Sequence, residues 1–187
     1  MKISSVSGAL ALMFATAASV QAAEVVYAGD LSPPAVQTGS AGGFSWFMDD
    51  GDGVEFWRLF ATAGSTITLQ VDRLEAGFDP ALSIYSGLTS ADTADFLSYG
   101  DWGGLSFIDY FDDENPASIP TGPAGDPFGS FVAPVTGFYT VAVGGSLSEE
   151  GGLYGYQITA SVPEPETWAL WGLGLAALTL RRRRRQD

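Results

Sequence analysis

The stretch VEFWRLFATAGSTITLQVD, residues 54–72, decides the fold class. In its second half Ile67, Leu69 and Val71 alternate with polar residues, the two-residue period of a strand with one buried face. Its first half, residues 54–61, is aromatic or apolar on both faces, which is typical of a central strand covered on both sides. A glycine turn separates the halves, so the stretch predicts two consecutive strands.

The same pattern continues outward from this stretch. Gly, Pro and Asp punctuate every gap, and no segment between residues 23 and 162 has convincing helical periodicity. We therefore predict an all-β domain over residues 23–161, an antiparallel β-sandwich of jelly-roll type with about eight strands. The other candidate strands are residues 24–28, 44–48, 81–86, 105–110, 138–145 and 153–160.

The charge of this domain is strongly negative. Of the 22 acidic residues in the chain, 19 lie between residues 23 and 162, where Arg58 and Arg73 are the only basic residues, so the formal charge there is −17. Such a surface repels nucleic acid and anionic lipid, because phosphate binding needs clustered Lys and Arg. It favours solubility and attracts divalent cations.

The chain contains neither Cys nor His. The domain must therefore be held together by its core without disulfides. The absence of His removes Ser-His-Asp and Cys-His catalysis, His-ligated zinc and the usual general base near neutral pH. We expect no enzymatic activity: paired carboxylates could serve a glycosidase, but nothing in the sequence marks two acids as partners.

Acidic loops, among them residues 48–53 and a long Pro- and Gly-rich loop expected over residues 111–130, provide candidate ligands for calcium, which takes six to eight oxygen atoms. The alternative is turn chemistry, because Asp and Gly are the residues that turns require. A carbohydrate could stack on Trp46, Trp57 or Trp102, although strand aromatics are more often part of a core. The candidate calcium ligands are Asp49, Asp50, Asp52, Asp101, Asp112 and Asp113.

The N-terminus has the pattern of a secretory signal peptide over residues 1–22. A lysine precedes an apolar stretch, and Val20-Gln21-Ala22 places small residues at the positions that signal peptidase requires. We predict cleavage after Ala22, with Ala23 as the alternative.

The C-terminus, residues 162–187, has three parts. The first part is the short motif Val162, Pro163, Glu164 and Pro165. The second part, residues 167–180, is apolar or small and would form a short transmembrane helix. The third part is the basic cluster that stops the membrane span: Arg181, Arg182, Arg183, Arg184 and Arg185. A helix of this length spans roughly 21 Å, against a hydrocarbon core of about 30 Å. The arginines are expected to stay on the cytoplasmic side and the domain outside.

This three-part pattern closely resembles the PEP-CTERM sorting signal of Gram-negative bacteria. The resemblance implies recognition by exosortase, a membrane-embedded cysteine transpeptidase that is thought to cleave near Pro-Glu-Pro. It implies a precursor held transiently in the inner membrane and a product at the cell surface or in the extracellular matrix, often in bacteria that make exopolysaccharide.

Residues 52–87 resemble the bacterial pre-peptidase C-terminal domain. The shared features are an aromatic strand around Trp57, a Thr-rich strand, and Phe78-Asp79-Pro80 leading into Leu82-Ser83-Ile84-Tyr85; residues 136–143 match its closing strand. The resemblance implies a β-sandwich that acts as a secretion-associated, calcium-influenced or binding module. We expect a non-enzymatic, biofilm-associated surface or matrix protein, or alternatively a calcium-dependent carbohydrate-binding module on the same scaffold.

Overall fold

The computed structural model describes residues 23–42, 51–119, 124–146 and 152–162. Over these ranges the chain has no α-helix, and two packed sheets form a sandwich, so the predicted all-β fold class is confirmed. The strands are β1 (Tyr27–Leu31), β2 (Ala35–Gly42), β3 (Glu55–Ala61), β4 (Thr66–Arg73), β5 (Pro80–Ser86), β6 (Ser106–Phe111), β7 (Asn115–Pro116), β8 (Gly125–Asp126), β9 (Phe128–Val132), β10 (Gly137–Gly145) and β11 (Leu153–Ser161).

The two main sheets have the orders β1-β3-β10-β5-β6 and β2-β11-β4-β9, and β7 pairs with β8 in a small hairpin. All pairs are antiparallel except β1 with β3, which is parallel and departs from the predicted antiparallel arrangement. The reason is topological. The chain leaves β1 for β2 in the other sheet and then returns, so β3 runs in the same direction as β1.

The core between the sheets follows the predicted alternation. Ile67, Leu69 and Val71 on β4 are completely buried, and the strand over Glu55–Ala61 lies inside its sheet between β1 and β10. Within this core the indole Nε1 of Trp57 donates a hydrogen bond to the Tyr156 hydroxyl over 2.7 Å. The polar atoms of these two aromatic side chains are therefore paired inside the apolar layer.

A second apolar cluster lies on the outer face of the five-stranded sheet. The chain between β5 and β6 crosses this face and packs Phe96 and Trp102 against Phe56 and Tyr85. Phe56 and Trp102 stack with their ring centroids 5.8 Å apart. The inner face of β3 and the part of its outer face around Phe56 are therefore both covered, which explains the aromatic residues on both faces there.

Several strands differ from the sequence-based expectation. β2 and β9 were not predicted, and the long acidic loop expected over residues 111–130 contains β7, β8 and the start of β9. The strand predicted over residues 24–28 begins at Tyr27, preceded by an isolated bridge between Glu24 and Asp92. The strand predicted over residues 44–48 lies outside the described residues.

The sandwich has two ends that differ in their connections. At the end that we call the exit end, β11 finishes at Ser161 beside the start of β4 and the start of β2. The strands β1, β3, β5 and β9 also finish there. At the opposite end, which we call the far end, β6 and β10 finish and β5 begins.

The predicted signal peptide, residues 1–22, and the predicted transmembrane helix, residues 167–180, lie outside the described residues. Within the described part of the chain, no helix is long and apolar enough to cross a membrane.

Candidate functional site

Three carboxylates meet at the far end of the sandwich. Asp79 immediately precedes β5, and Asp112 and Asp113 immediately follow β6. Since β5 and β6 are antiparallel neighbours with Leu82 opposite Phe111, the start of one lies beside the finish of the other. One oxygen from each carboxylate lies within 4.8 Å of the others.

Two of these carboxylates already have positively polarised partners. Asp79 is buried and lies 3.4 Å from the Arg73 guanidinium. The same guanidinium contacts buried Asp126, with 2.5 Å between Arg73 Nε and Asp126 Oδ1. Asp113 Oδ1 accepts a hydrogen bond of 2.7 Å from the Gly125 amide. The β7–β8 hairpin is thereby fixed to the far end.

Asp112 has one partnered and one unpartnered oxygen. Its Oδ2 accepts hydrogen bonds from the Ser146 hydroxyl at 3.2 Å and the Tyr110 hydroxyl at 3.3 Å. Its Oδ1 is buried and has no hydrogen-bond donor. A buried carboxylate oxygen without a donor is costly, so this atom is the most available acceptor in the group.

The electrostatics of the group follow from its geometry. Burial, reinforced by the neighbouring Asp113 carboxylate, raises the pKa of Asp112 to about 6, against the opposing effect of the Ser146 and Tyr110 hydrogen bonds. Burial and the Asp112 charge raise the pKa of Tyr110 well above its ordinary value. Tyr110 therefore stays protonated at neutral pH and donates its hydrogen bond. Ionisation of the Asp112 carboxylate, by contrast, lowers the stability of the folded protein.

This arrangement can offer oxygen ligands to a hard cation such as calcium, which prefers carboxylates and carbonyls. The three carboxylates supply fewer than the six to eight oxygen atoms that calcium takes, so backbone carbonyls or water would have to complete the set. The Arg73 charge beside Asp79 opposes a cation on that side of the group.

The predicted ligands are distributed unevenly. Asp112 and Asp113 belong to the group, whereas Asp101 accepts a hydrogen bond of 2.9 Å from the Phe107 amide in a turn. Asp49 and Asp50 lie outside the described residues, and so does the side chain of Asp52, whose backbone forms a 3-10 turn over Gly51–Gly53.

Asp79 is the group member that sequence reasoning missed as a ligand. Asp79 lies directly before β5, and the antiparallel neighbour β6 is followed by Asp112-Asp113. The sequence pattern does not predict which strands pair, so it could not bring these three residues together. Among the aromatics considered for sugar stacking, Trp57 and Trp102 are buried in the two clusters and cannot present a face to a ligand. Trp46 lies outside the described residues.

The sorting segment begins where the sandwich ends. Val162 is exposed at the end of β11, and Pro163, Glu164, Pro165 and the arginines 181–185 lie outside the described residues. A comparison with protein-family models matches residues 161–185 to the PEP-CTERM protein-sorting motif. The chain therefore carries the C-terminal signal of an exosortase-processed, exported protein, made as a membrane-anchored precursor in Gram-negative bacteria.

Comparison with solved structures supports the fold of the sandwich. The surface-associated copper-binding protein CorA of Methylomicrobium album BG8 superposes with a TM-score of 0.58 at 13% identity, covering 74% of this chain and all of CorA. The secreted protein MopE of Methylococcus capsulatus, in which an oxidised tryptophan facilitates copper binding, gives 0.52 at 13% identity, covering 72% of this chain and 87% of the other. At these identities the likeness concerns the fold alone.

The pre-peptidase C-terminal domain of a Bacillus anthracis collagenase is also similar, with a TM-score of 0.41 and 14% identity over 73% of this chain and 97% of that domain. No curated protein sequence matches the chain.

Proposed function

We propose that this protein is a non-enzymatic component of the cell surface or extracellular matrix, delivered as a precursor and released by exosortase. The observation that carries the proposal is the PEP-CTERM motif joined directly to the last strand of a sandwich. Because Val162 is exposed, the cleavage motif follows a solvent-facing residue. We further propose that the released domain resides among exopolysaccharide.

The chemistry of the far end supports a non-enzymatic role. The chain has no His to act as a base near neutral pH. Within the described residues, Asp79 and Asp126 share the Arg73 guanidinium and Asp113 caps the Gly125 amide, so these acids have structural tasks. An enzyme would show turnover that disappears with a single Asp substitution, and we expect no such turnover.

Sorting is tested by replacing Pro163, Glu164 and Pro165 together with Ala in the native host. We expect the variant to accumulate unprocessed in the inner-membrane fraction, with the Glu166→Ala variant matured normally as the control. Normal maturation and release of the triple variant would refute the assignment of the motif. Co-sedimentation of the released protein with purified exopolysaccharide then tests its place in the matrix.

A second function, calcium-dependent carbohydrate binding, is favoured by one observation: three carboxylates within 4.8 Å of one another, with the buried Asp112 Oδ1 lacking a donor. The two copper-binding neighbours raise the question of copper. This chain has neither His nor Cys, and its carboxylates are ligands for hard cations.

The test is a calcium titration of the released protein, read as its melting temperature, beside a glycan array with and without calcium. Binding predicts a rise in melting temperature that is lost in Asp113→Asn and retained in Asp101→Asn, which lies outside the group. An unchanged melting temperature together with a blank array would eliminate this function.

A further inference from the structure

The two ends of the sandwich differ sharply in charge. At the far end the strand ends and connections carry seven acids whose side chains are described, and Arg73 is the base among them. By contrast, five stretches at the exit end contain no charged residue: 31–36, 61–66, 86–91, 132–137 and 159–162; the stretch that leads into β6 there carries Asp101. The far-end acids are Glu55, Glu75, Asp79, Asp112, Asp113, Glu114 and Asp126.

The charges near the exit end reduce this contrast only in part. Asp30 and Arg58 neutralise each other in an exposed ion pair of 2.7 Å on the five-stranded sheet. Asp101 is exposed beside the start of β6, at the edge of the exit end, where its carboxylate accepts the Phe107 amide hydrogen. Among the described residues, the acids are therefore more numerous at the far end than at the end at which the chain leaves the domain.

The exit end also exposes large apolar side chains. Phe60 and Phe138 are 54% and 46% exposed, and they form a cross-strand pair with ring centroids 5.4 Å apart. The other exposed apolar side chains here are Val36, Leu88, Val132, Val135 and Val162. A group of exposed apolar side chains with few charges among them is typical of an interaction surface.

The turns at the exit end are fixed by hydrogen bonds. The Gly64 amide donates to the Ala133 carbonyl at 2.8 Å, and the Ala133 amide donates to the Ser65 carbonyl at 2.9 Å, so two turns are joined. The Tyr139 hydroxyl donates to the Val135 carbonyl at 2.6 Å. The exposure of Val135 is therefore built into the fold, and docking would require little reordering.

The position of the sorting segment identifies the partner. The predicted membrane span begins at Thr167, and four residues separate it from Val162. Five residue steps of extended chain reach about 17 Å at most, so the exit end lies within about 17 Å of the span. An apolar surface with few charges at this distance fits the membrane interface, whereas the acidic far end is repelled by anionic headgroups.

We propose that, while the precursor is anchored, the exit end of the sandwich rests on the lipid surface through Phe60, Phe138 and Val135, with the acidic end facing away. This inference rests on the proposed membrane-held precursor. It goes further by fixing the orientation in which the domain presents its C-terminal junction to the processing enzyme.

The absence of Cys allows a clean test by single-site labelling. The full precursor, purified from the membranes of an exporting host without exosortase, is reconstituted in phosphatidylethanolamine–phosphatidylglycerol vesicles that contain brominated lipid. An environment-sensitive dye is attached at Val135→Cys or, as the matched control, at Leu153→Cys, an exposed apolar position at the far end. We expect strong quenching and a blue shift at Val135 and neither at Leu153.

Adding Phe60→Ser and Phe138→Ser to the Val135→Cys variant should abolish the quenching while near-ultraviolet circular dichroism stays unchanged. Equal signals from both labels would overturn the orientation. Quenching that survives the double Ser substitution would also overturn it, and so would shielding of the Val135 label that appears only when exosortase is added. Vesicle flotation separates the two proposals: a precursor that does not float contradicts membrane anchoring itself, whereas a floating precursor without quenching contradicts this inference alone.

Discussion

Asp112→Asn should make the protein more stable at neutral pH, although it removes a charged group in the candidate site. Because the pKa of Asp112 is raised to about 6 in the folded protein, the native state holds a proton there that the unfolded chain releases near its ordinary 3.8. Between these values the native state binds more protons than the unfolded state, so this group lowers stability as pH rises.

The magnitude follows from the shift. Two pKa units correspond to about 3 kcal/mol at about 1.36 kcal/mol per unit, and solvent screening of this half-buried side chain reduces the expected effect to about 1–2 kcal/mol. The Asn variant should therefore exceed the wild type by about 1–2 kcal/mol in free energy of unfolding at pH 7, and by little below pH 4.

The assay is urea denaturation of residues 23–162 at a series of pH values, without divalent cations. The Asp101→Asn variant, outside the carboxylate group, should not show the gain in stability over the wild type at pH 7 that is expected of Asp112→Asn. A wild type and an Asp112→Asn variant that lose stability equally over this range would refute the assigned burial of the charge. With calcium in the group the order at pH 7 should reverse, because the cation would stabilise ionised Asp112.

Two further predictions concern side chains that fix the ends of the sandwich. Arg73→Met leaves Asp79 and Asp126 buried without a cation and should lower the free energy of unfolding in urea by about 3–5 kcal/mol. Arg58→Met breaks an exposed pair and should lower it by less than about 1 kcal/mol. Similar losses in the two variants would contradict the buried network. Tyr139→Phe removes the hydroxyl that holds the Val135 turn and should cost about 1 kcal/mol in the same assay, and no measurable loss would contradict its role.

The strands that could be predicted are those whose pattern is local. β4 and β11 show clean alternation, and the aromatic residues of β3 on both faces correctly indicated an inner strand. β2, with the sequence AVQTGSAG, has two glycines and few large apolar residues, so its strand state depends on pairing with β11. β9, with the sequence FGSFV, was absorbed into a Pro- and Gly-rich loop for the same reason.

The candidate site could be predicted only in part because strand pairing brings together residues that are distant in the sequence. The acidic pair Asp112-Asp113 was visible, but Asp79 joins it through the antiparallel pairing of β5 and β6. Trp102 could not be placed from sequence either, since its burial depends on packing against Phe56, Tyr85 and Phe96 across the outer sheet face. The sorting motif was recognisable because its three parts are contiguous.

We propose the removal of the C-terminal segment from an exported precursor as the step that delivers this protein. Its most direct test is the intact mass of the protein recovered from the extracellular matrix fraction, with the exosortase-deficient host as the control. We predict a species that starts at Ala23 and lacks residues 167–187, and in the control an inner-membrane species that ends at Asp187. A matrix form that retains Arg181–Arg185 would contradict removal of the segment by exosortase.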